Sequence, residues 1–395
     1  MTALAQLSCP IVMTTADPPP PAGPETPPFR RPFIKRVGKR IKAFLHASLR
    51  LLFSLRFVVP AGDGTPDPAL PGVQTILVVR PNMRLGNVLL STPIVAALRA
   101  RFPDARIDYL GGAAAAVVLK GLPVDTVMAV PRAQFARPLR LIALGLRLRR
   151  QRYDLVVDAG HGSVSSMVCT WLSGARYRAG TAAWAGTLYN LRGSLAGIRH
   201  ACDEPAALCA ALRIDCPAQP VFRVLDAERD AAIALLAAHG LAAAGMSRPF
   251  VALVPGGHVD KRWPTPEWLD LGRRLAGEGI PCAVLIGPDE LHLQEVLREA
   301  LGPAAVIIPP RPLREFAALL GEARLVVAPD TGPMHLAVAV GTPVVAVVQT
   351  SWSSFYTPRG EADRVLFRPA AAAVMEAILG HPRCPAGSGA GRLSA

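Results

Sequence analysis

The run Leu325-Val326-Val327-Ala328, followed by Asp330-Thr331-Gly332-Pro333-Met334-His335, constrains the fold of this chain more than any other stretch. The apolar run reads as a buried strand, and the Ala-rich residues after the loop read as a helix that stops at Gly341. A strand feeding a helix through a short polar loop gathers backbone N–H groups and the positive end of a helix dipole at one point, which suits a phosphate. Asp330 can brace the turn or hold a ribose hydroxyl. Pro333 suits a first helical turn, and His335 can reach a diphosphate oxygen. An ordinary capped helix with a polar loop is the plainer alternative.

A second stretch has the same form. Val251-Ala252-Leu253-Val254-Pro255 reads as a buried strand, and Gly256-Gly257-His258-Val259-Asp260-Lys261-Arg262-Trp263-Pro264 follows it. Thr265-Pro266-Glu267 then opens a helix, with Thr265 read as the N-cap. Two glycines let the backbone approach a ligand, and Lys261 and Arg262 set cationic donors beside it. A solvated Lys-Arg pair on a surface loop is the bland reading. Both loops leave the carboxyl ends of expected parallel strands, where open α/β sheets bind ligands.

With 395 residues, two domains are the natural expectation. Strands read at 75–79, 106–110, 153–158, 251–255, 282–286, 306–308, 325–329 and 344–348 alternate with helical runs. That pattern gives an α/β chain of two doubly wound, Rossmann-like domains facing a cleft, at 73–216 and 217–380. The run from Leu188 to Cys216 reads as mostly helical, and no short internal repeat is visible. Cys202, Cys209 and Cys216 recur every seven residues, which reads as one helix face rather than a metal site. The odd total of seven cysteines points to reduced thiols and a cytosolic location.

The net charge of +14 is concentrated near the start. Nine cations between Arg30 and Arg56 stand without an acid, and Ile34, Val37, Ile41, Phe44, Leu45, Leu49 and Leu52 recur at helical spacing among them. Residues 34–60 thus read as a basic amphipathic helix lying on an anionic membrane surface, with no nucleic acid as partner. His46, Arg50 and Arg56 interrupt the segment too often for a membrane span. Residues 1–33, rich in proline, read as disordered, and 381–395 as a flexible tail.

Three segments together resemble the heptosyltransferases, glycosyltransferase family nine. They are Ile76-Leu77-Val78-Val79-Arg80 with Leu85-Gly86-Asn87-Val88-Leu89-Leu90-Ser91-Thr92-Pro93, then Pro255-Gly256-Gly257 with Lys261-Arg262-Trp263-Pro264, then Asp330-Thr331-Gly332-Pro333-Met334-His335. The resemblance spans about Val73 to Leu379. It implies a GT-B fold, with the acceptor on the first domain and a nucleotide-diphosphate sugar on the second. It further implies inverting transfer, without metal or cofactor, from an ADP-heptose-like donor to a lipopolysaccharide-core or related glycolipid acceptor at the cytoplasmic face of the inner membrane. Gly256, Gly257, Lys261, Arg262, Glu290, Asp330, Thr331, Gly332 and His335 would form the donor site. Arg80, Arg84 and Gly86 would lie beside the acceptor.

One departure stands out. The family's first loop carries an aspartate, the expected general base, where this chain has Asn87. An amide orients a hydroxyl but does not take its proton at neutral pH. Asp158 and His161, at the end of another strand, are the first candidates to supply the base. Two alternatives stay open: the hydroxyl loses its proton late, to phosphate or water, or the chain is a weak or inactive relative that binds nucleotide or glycan at a membrane. A nicotinamide dehydrogenase is disfavoured, because no G-x-G-x-x-G follows the first strand.

Overall fold

The structure is a computed structural model that describes residues 69–384, apart from 82, 83, 183, 184, 186, 244 and 248. The Pro-rich segment and the amphipathic helix expected before residue 61, and the tail beyond Cys384, lie outside the described residues.

The strands of the first sheet are β1 (Thr75–Arg80), β2 (Arg106–Gly111), β3 (Thr126–Ala129), β4 (Leu155–Asp158), β5 (Tyr177–Gly180) and β6 (Leu191–Arg192). They pair throughout in parallel, in the order β3-β2-β1-β4-β5-β6. After a two-stranded hairpin, β7 (Ala242–Ala243) and β8 (Met246–Ser247), a second sheet repeats the plan. Its strands are β9 (Val251–Leu253), β10 (Cys282–Leu285), β11 (Val306–Ile308), β12 (Leu325–Ala328), β13 (Val344–Val348) and β14 (Arg364–Phe367), in the parallel order β11-β10-β9-β12-β13-β14. The two halves therefore share one topology, although no repeat is visible in their residues. A parallel sheet covered by helices on both faces selects only for apolar runs, and many different sequences satisfy that.

Helices α1 (Leu85–Arg101), α2 (Ala113–Val118), α3 (Pro138–Arg150), α4 (Val164–Ser173) and α5 (Asp203–Ala211) flank the first sheet. Helices α6 (Asp226–Ala238), α7 (Thr265–Gly277), α8 (Gln294–Leu301), α9 (Leu313–Glu322), α10 (Gly332–Ala339) and α11 (Ala371–Leu379) serve the second. Thr265 is already inside α7, whose N-cap is Pro264, so the expected side-chain cap is not made. Between Leu188 and Cys216 only α5 is helical; Gly193 and the left-handed Gly197 interrupt the run. Cys216 lies beyond α5 and returns to hydrogen-bond the Cys209 thiol, so the seven-residue spacing is not one helix face. After α11 the chain stays packed through Cys384, with the His381 ring bonded to the Ala362 carbonyl at 2.5 Å. No helix among the described residues is long and apolar enough to cross a membrane.

Helix α1 is the wedge between the halves. It is buried along most of its length, from Val88 to Leu98, and shares one apolar cluster with Met334, Leu336 and Ala337 of α10. Pro93 lies inside it without ending it, and the reason is local. Proline cannot donate to the Leu89 carbonyl one turn back, but the Thr92 hydroxyl does so at 2.7 Å. The same oxygen accepts from the Val221 amide at 2.8 Å, tying α1 to the segment that leads into the second sheet. Thr92→Val is expected to orphan both groups at a site 2% exposed, lowering unfolding stability by about 2–3 kcal/mol. A urea midpoint shift at unchanged slope would measure it.

Candidate active site at the junction of the two sheets

The loop after β9 and the loop after β12 lie against each other. Lys261, in a short 3-10 turn, places its ammonium 2.5 Å from Asp330, which is 3% exposed. Asp330 also faces the His335 ring, with Nε2 and Oδ1 3.9 Å apart. Burial, with Lys261 and His200 nearby, pulls the His335 pKa down to about 4 against the opposing pull of Asp330, so at neutral pH the ring is an uncharged hydrogen-bonding group. Thr331 precedes α10 in an extended conformation, and no side chain caps that helix end. Its first-turn N–H groups are therefore available to an acceptor, beside a lysine.

Gly256 and Gly257 make room for neighbouring side chains. A Cβ on Gly256 would come within 2.8 Å of a Glu290 oxygen, and one on Gly257 would collide with the Thr331 methyl. Gly257 also sits at a φ of +148°, where a side chain is strained. Their missing side chains let three loops close on one another. Glu290, 4% exposed, accepts from Arg262 at 3.0 Å and from the Gly257 amide at 3.3 Å, while Arg262 also bonds the Gly257 carbonyl at 2.7 Å. Arg262 and Glu290 thus brace the loop that carries Lys261.

The first sheet meets this cluster through α1. A Cβ on Gly86 would stand 3.0 Å from the His335 ring, and one on Gly332 would stand 3.3 Å from Leu85, so two glycines allow α1 and α10 to touch end to end. Asn87 follows Gly86 directly and lines a narrow recess with Arg80, Ser91, His161 and Glu204. Arg84, the N-cap residue of α1, is exposed. Arg80 closes the recess floor, donating to the Ala159 carbonyl through one amino group. Its Nε is buried with no hydrogen-bond partner. Tyr356 joins the two sides: its ring lies 5.8 Å from the Lys261 ammonium and edge-on to His335. Burial raises its pKa, with Glu204 and Asp330 adding to the rise and Arg80 and Arg84 opposing it.

The two base candidates take different places. Asp158, 1% exposed, does not face the recess: its carboxylate accepts from the Tyr189 hydroxyl, from Ser166 at 3.0 Å and from the Gly160 amide at 2.7 Å. Burial raises its pKa, and those donors hold it down. It shapes the turn that presents His161. His161 does reach the recess, in a left-handed backbone conformation at φ 47°. Its Nδ1 lies 3.1 Å from the Thr181 hydroxyl and its Nε2 3.4 Å from a Glu204 oxygen. Burial and then the Arg80 charge push its pKa down to about 3, which makes it a poor proton acceptor at neutral pH.

Glu204 is the residue that the sequence reading missed. It sits in the first turn of α5, where an acid ordinarily complements the helix dipole and attracts no notice. The chain fold carries it into the recess opposite Asn87, where burial raises its pKa and Arg80 partly restores it. Tyr189 is engaged with Asp158, whereas Tyr356 stands in the junction. Among the described residues, no three His, Cys, Asp or Glu side chains converge as a metal site would require.

Two doubly wound sheets of identical order, meeting at the carboxyl ends of their strands over a cationic loop and a helix N terminus, have the GT-B fold. The chain belongs to glycosyltransferase family 9, the heptosyltransferases, whose family model matches residues 141–374, more than half of its length. Lipopolysaccharide heptosyltransferase 2 of Escherichia coli K12 is 25% identical over 317 residues, covering 74% of this chain and 87% of that protein. Lipopolysaccharide heptosyltransferase 3 of Escherichia coli is 23% identical over 293 residues, covering 69% and 83%. Among solved structures, a family 9 glycosyltransferase from Veillonella parvula superposes with a TM-score of 0.67 at 19% identity, covering 77% of this chain and 96% of that one. An E. coli heptosyltransferase solved with ADP gives 0.63 at 22% identity, covering 77% and 99%.

Proposed function

We propose that this enzyme transfers a heptose from ADP-heptose to a lipopolysaccharide-core acceptor, with inversion and without a metal ion. The observation that carries the proposal is the junction itself. Lys261, Asp330, His335 and the open end of α10 stand on one side, and Gly86, Asn87 and the recess holding Glu204 stand on the other. The relatives named above supply the sugar and the acceptor class: one is solved with ADP, and others are lipopolysaccharide heptosyltransferases.

In this reading residues 217–380 hold the donor and 73–216 the acceptor. Breaking the bond between the anomeric carbon and the phosphate oxygen leaves negative charge on the diphosphate. Lys261, the first-turn N–H groups of α10 and His335 stabilise that charge. Thr331 and Gly332 belong to the same cradle, while Gly256, Gly257, Arg262 and Glu290 hold its loops in place. The acceptor hydroxyl attacks from the side of Asn87, which orients it, and its proton passes to the Glu204 carboxylate. One in-line displacement inverts the anomeric centre. Neutral His161, with Nδ1 at the Thr181 hydroxyl and Nε2 3.4 Å from Glu204, packs beside the carboxylate and limits its movement. Arg80, with an unused donor, and Arg84 suit an anionic group on the acceptor. A carboxylate at Glu204 restores what Asn87 lacks, which favours an active transferase over an inert relative. The acceptor class, and the basic composition of segment 34–60, support a location at the cytoplasmic face of the inner membrane.

Calorimetry with ADP, UDP, GDP and CDP in EDTA tests the donor half. ADP is expected to bind tightest, with the same affinity whether or not magnesium is added. Preference for another nucleotide would change the donor, and binding that needs magnesium would overturn the metal-free site.

A further inference from the structure

Helix α3 carries apolar residues on two faces. Leu144 and Leu148 are buried and belong to the cluster that contains Leu77 and Val79 of β1 and Val156 of β4. The opposite face presents Leu139, Ile142 and Leu146, which are 82%, 57% and 54% exposed. Their spacing repeats at one helical turn, so they form a single outward stripe, with Ala143 beside it. Folding gains nothing from that stripe, and large apolar side chains grouped in water mark a contact surface.

The charges around the stripe identify the partner. Arg132, Arg137, Arg140, Arg147, Arg149 and Arg150 are all exposed, and no Asp or Glu occurs between Asp125 and Asp154. Among the described residues none of these arginines forms an ion pair. The segment from Arg30 to Arg56 of this chain carries nine cations and no acid, so it repels this face rather than covering it. A second copy presenting the same helix would be repelled in the same way. An apolar stripe edged by arginines on a convex helix matches a surface that is apolar beneath and anionic on top.

We propose that the outer face of α3 docks on an anionic lipid surface, with Leu139, Ile142 and Leu146 in the acyl boundary and the flanking arginines at the phosphates. The proposal rests on the reading that the acceptor is a membrane glycolipid. Helix α3 follows β3, so its first turn lies at the same strand edge as the Asn87–Glu204 recess. Docking through this face brings the acceptor side of the cleft to the membrane. It also adds a contact to the one expected from residues 34–60, and two weak anchors bind together more firmly than either alone.

The test is flotation of the full-length protein with vesicles of phosphatidylethanolamine and phosphatidylglycerol, using the triple variant Leu139→Ser, Ile142→Ser, Leu146→Ser. Vesicle partition is expected to fall about tenfold, while ADP affinity, which reports the folded cleft, stays at the wild-type value. A second variant, Arg140→Gln with Arg147→Gln, should weaken partition and flatten its salt dependence. Partition of the triple variant within about twofold of wild type would overturn the α3 surface and leave the membrane reading standing. Equal wild-type partition on pure phosphatidylcholine would overturn the anionic partner. Wild-type protein that ignores anionic vesicles altogether would overturn both, and an acidic protein surface would then take the place of lipid.

Discussion

Glu204→Gln is expected to lower the turnover of sugar transfer by about 10²–10⁴-fold while leaving nucleotide affinity unchanged. Glutamine keeps the shape but cannot accept the acceptor's proton. The pH dependence carries a second signature. Burial lifts the Glu204 pKa, and the base works only when ionised, so the wild-type rate rises with pH through that lifted value and then levels off. His161, held near 3, contributes no limb at neutral pH. Stability has the opposite sign. The folded state holds the Glu204 proton more tightly than the unfolded chain does. Its favourable contribution is therefore present below the unfolded carboxylate pKa and is lost as pH rises through the folded value. The glutamine variant, free of that loss, should melt no lower than wild type at pH 8. A nearly inactive variant of undiminished stability separates a proton acceptor from a packing residue. An aspartate at the Asn87 position, Asn87→Asp, would be expected to rescue part of the lost turnover in the Glu204→Gln background.

Lys261→Ala is the second large effect. The ammonium sits beside the open end of α10 and is the charge nearest the expected leaving diphosphate. Removing one preorganised donor at a developing charge costs about 10²–10³ in turnover, and ADP affinity should fall as well, because a charged hydrogen bond is lost in the ground state. The variant also leaves Asp330 buried without its cation, which pushes any anionic ligand away. Lys261→Ala with Asp330→Asn removes that repulsion. It should recover part of the ADP affinity but little of the turnover. ADP affinity unchanged in Lys261→Ala would place the diphosphate elsewhere.

The strands were legible because β1, β9, β12 and β13 are uninterrupted apolar runs with loops of distinctive chemistry behind them. The meeting of Lys261, Asp330 and His335 was legible for the same reason, since they stand in two compact segments, each next to a strand end. Glu204 was hidden because its place depends on the fold: only α5 brings it to the recess beside Asn87, over one hundred positions earlier in the chain. Asp158 looked catalytic because a carboxylate at a strand end often is. Tyr189 and Ser166, which consume it, lie on other elements. The duplicated strand order was equally invisible, because buried parallel strands constrain polarity and not identity. The packing at Gly256 and Gly257 also needed coordinates, for the bodies they accommodate are Glu290 and Thr331.

The most direct measurement is ADP release from ADP-heptose by the full-length enzyme in EDTA, with and without a lipopolysaccharide-core acceptor that lacks its heptose. Release that depends on the acceptor, with a product of inverted anomeric configuration by NMR, is the predicted result. Tight ADP binding with no acceptor-dependent release, or release that begins only when a divalent metal is restored, would contradict it.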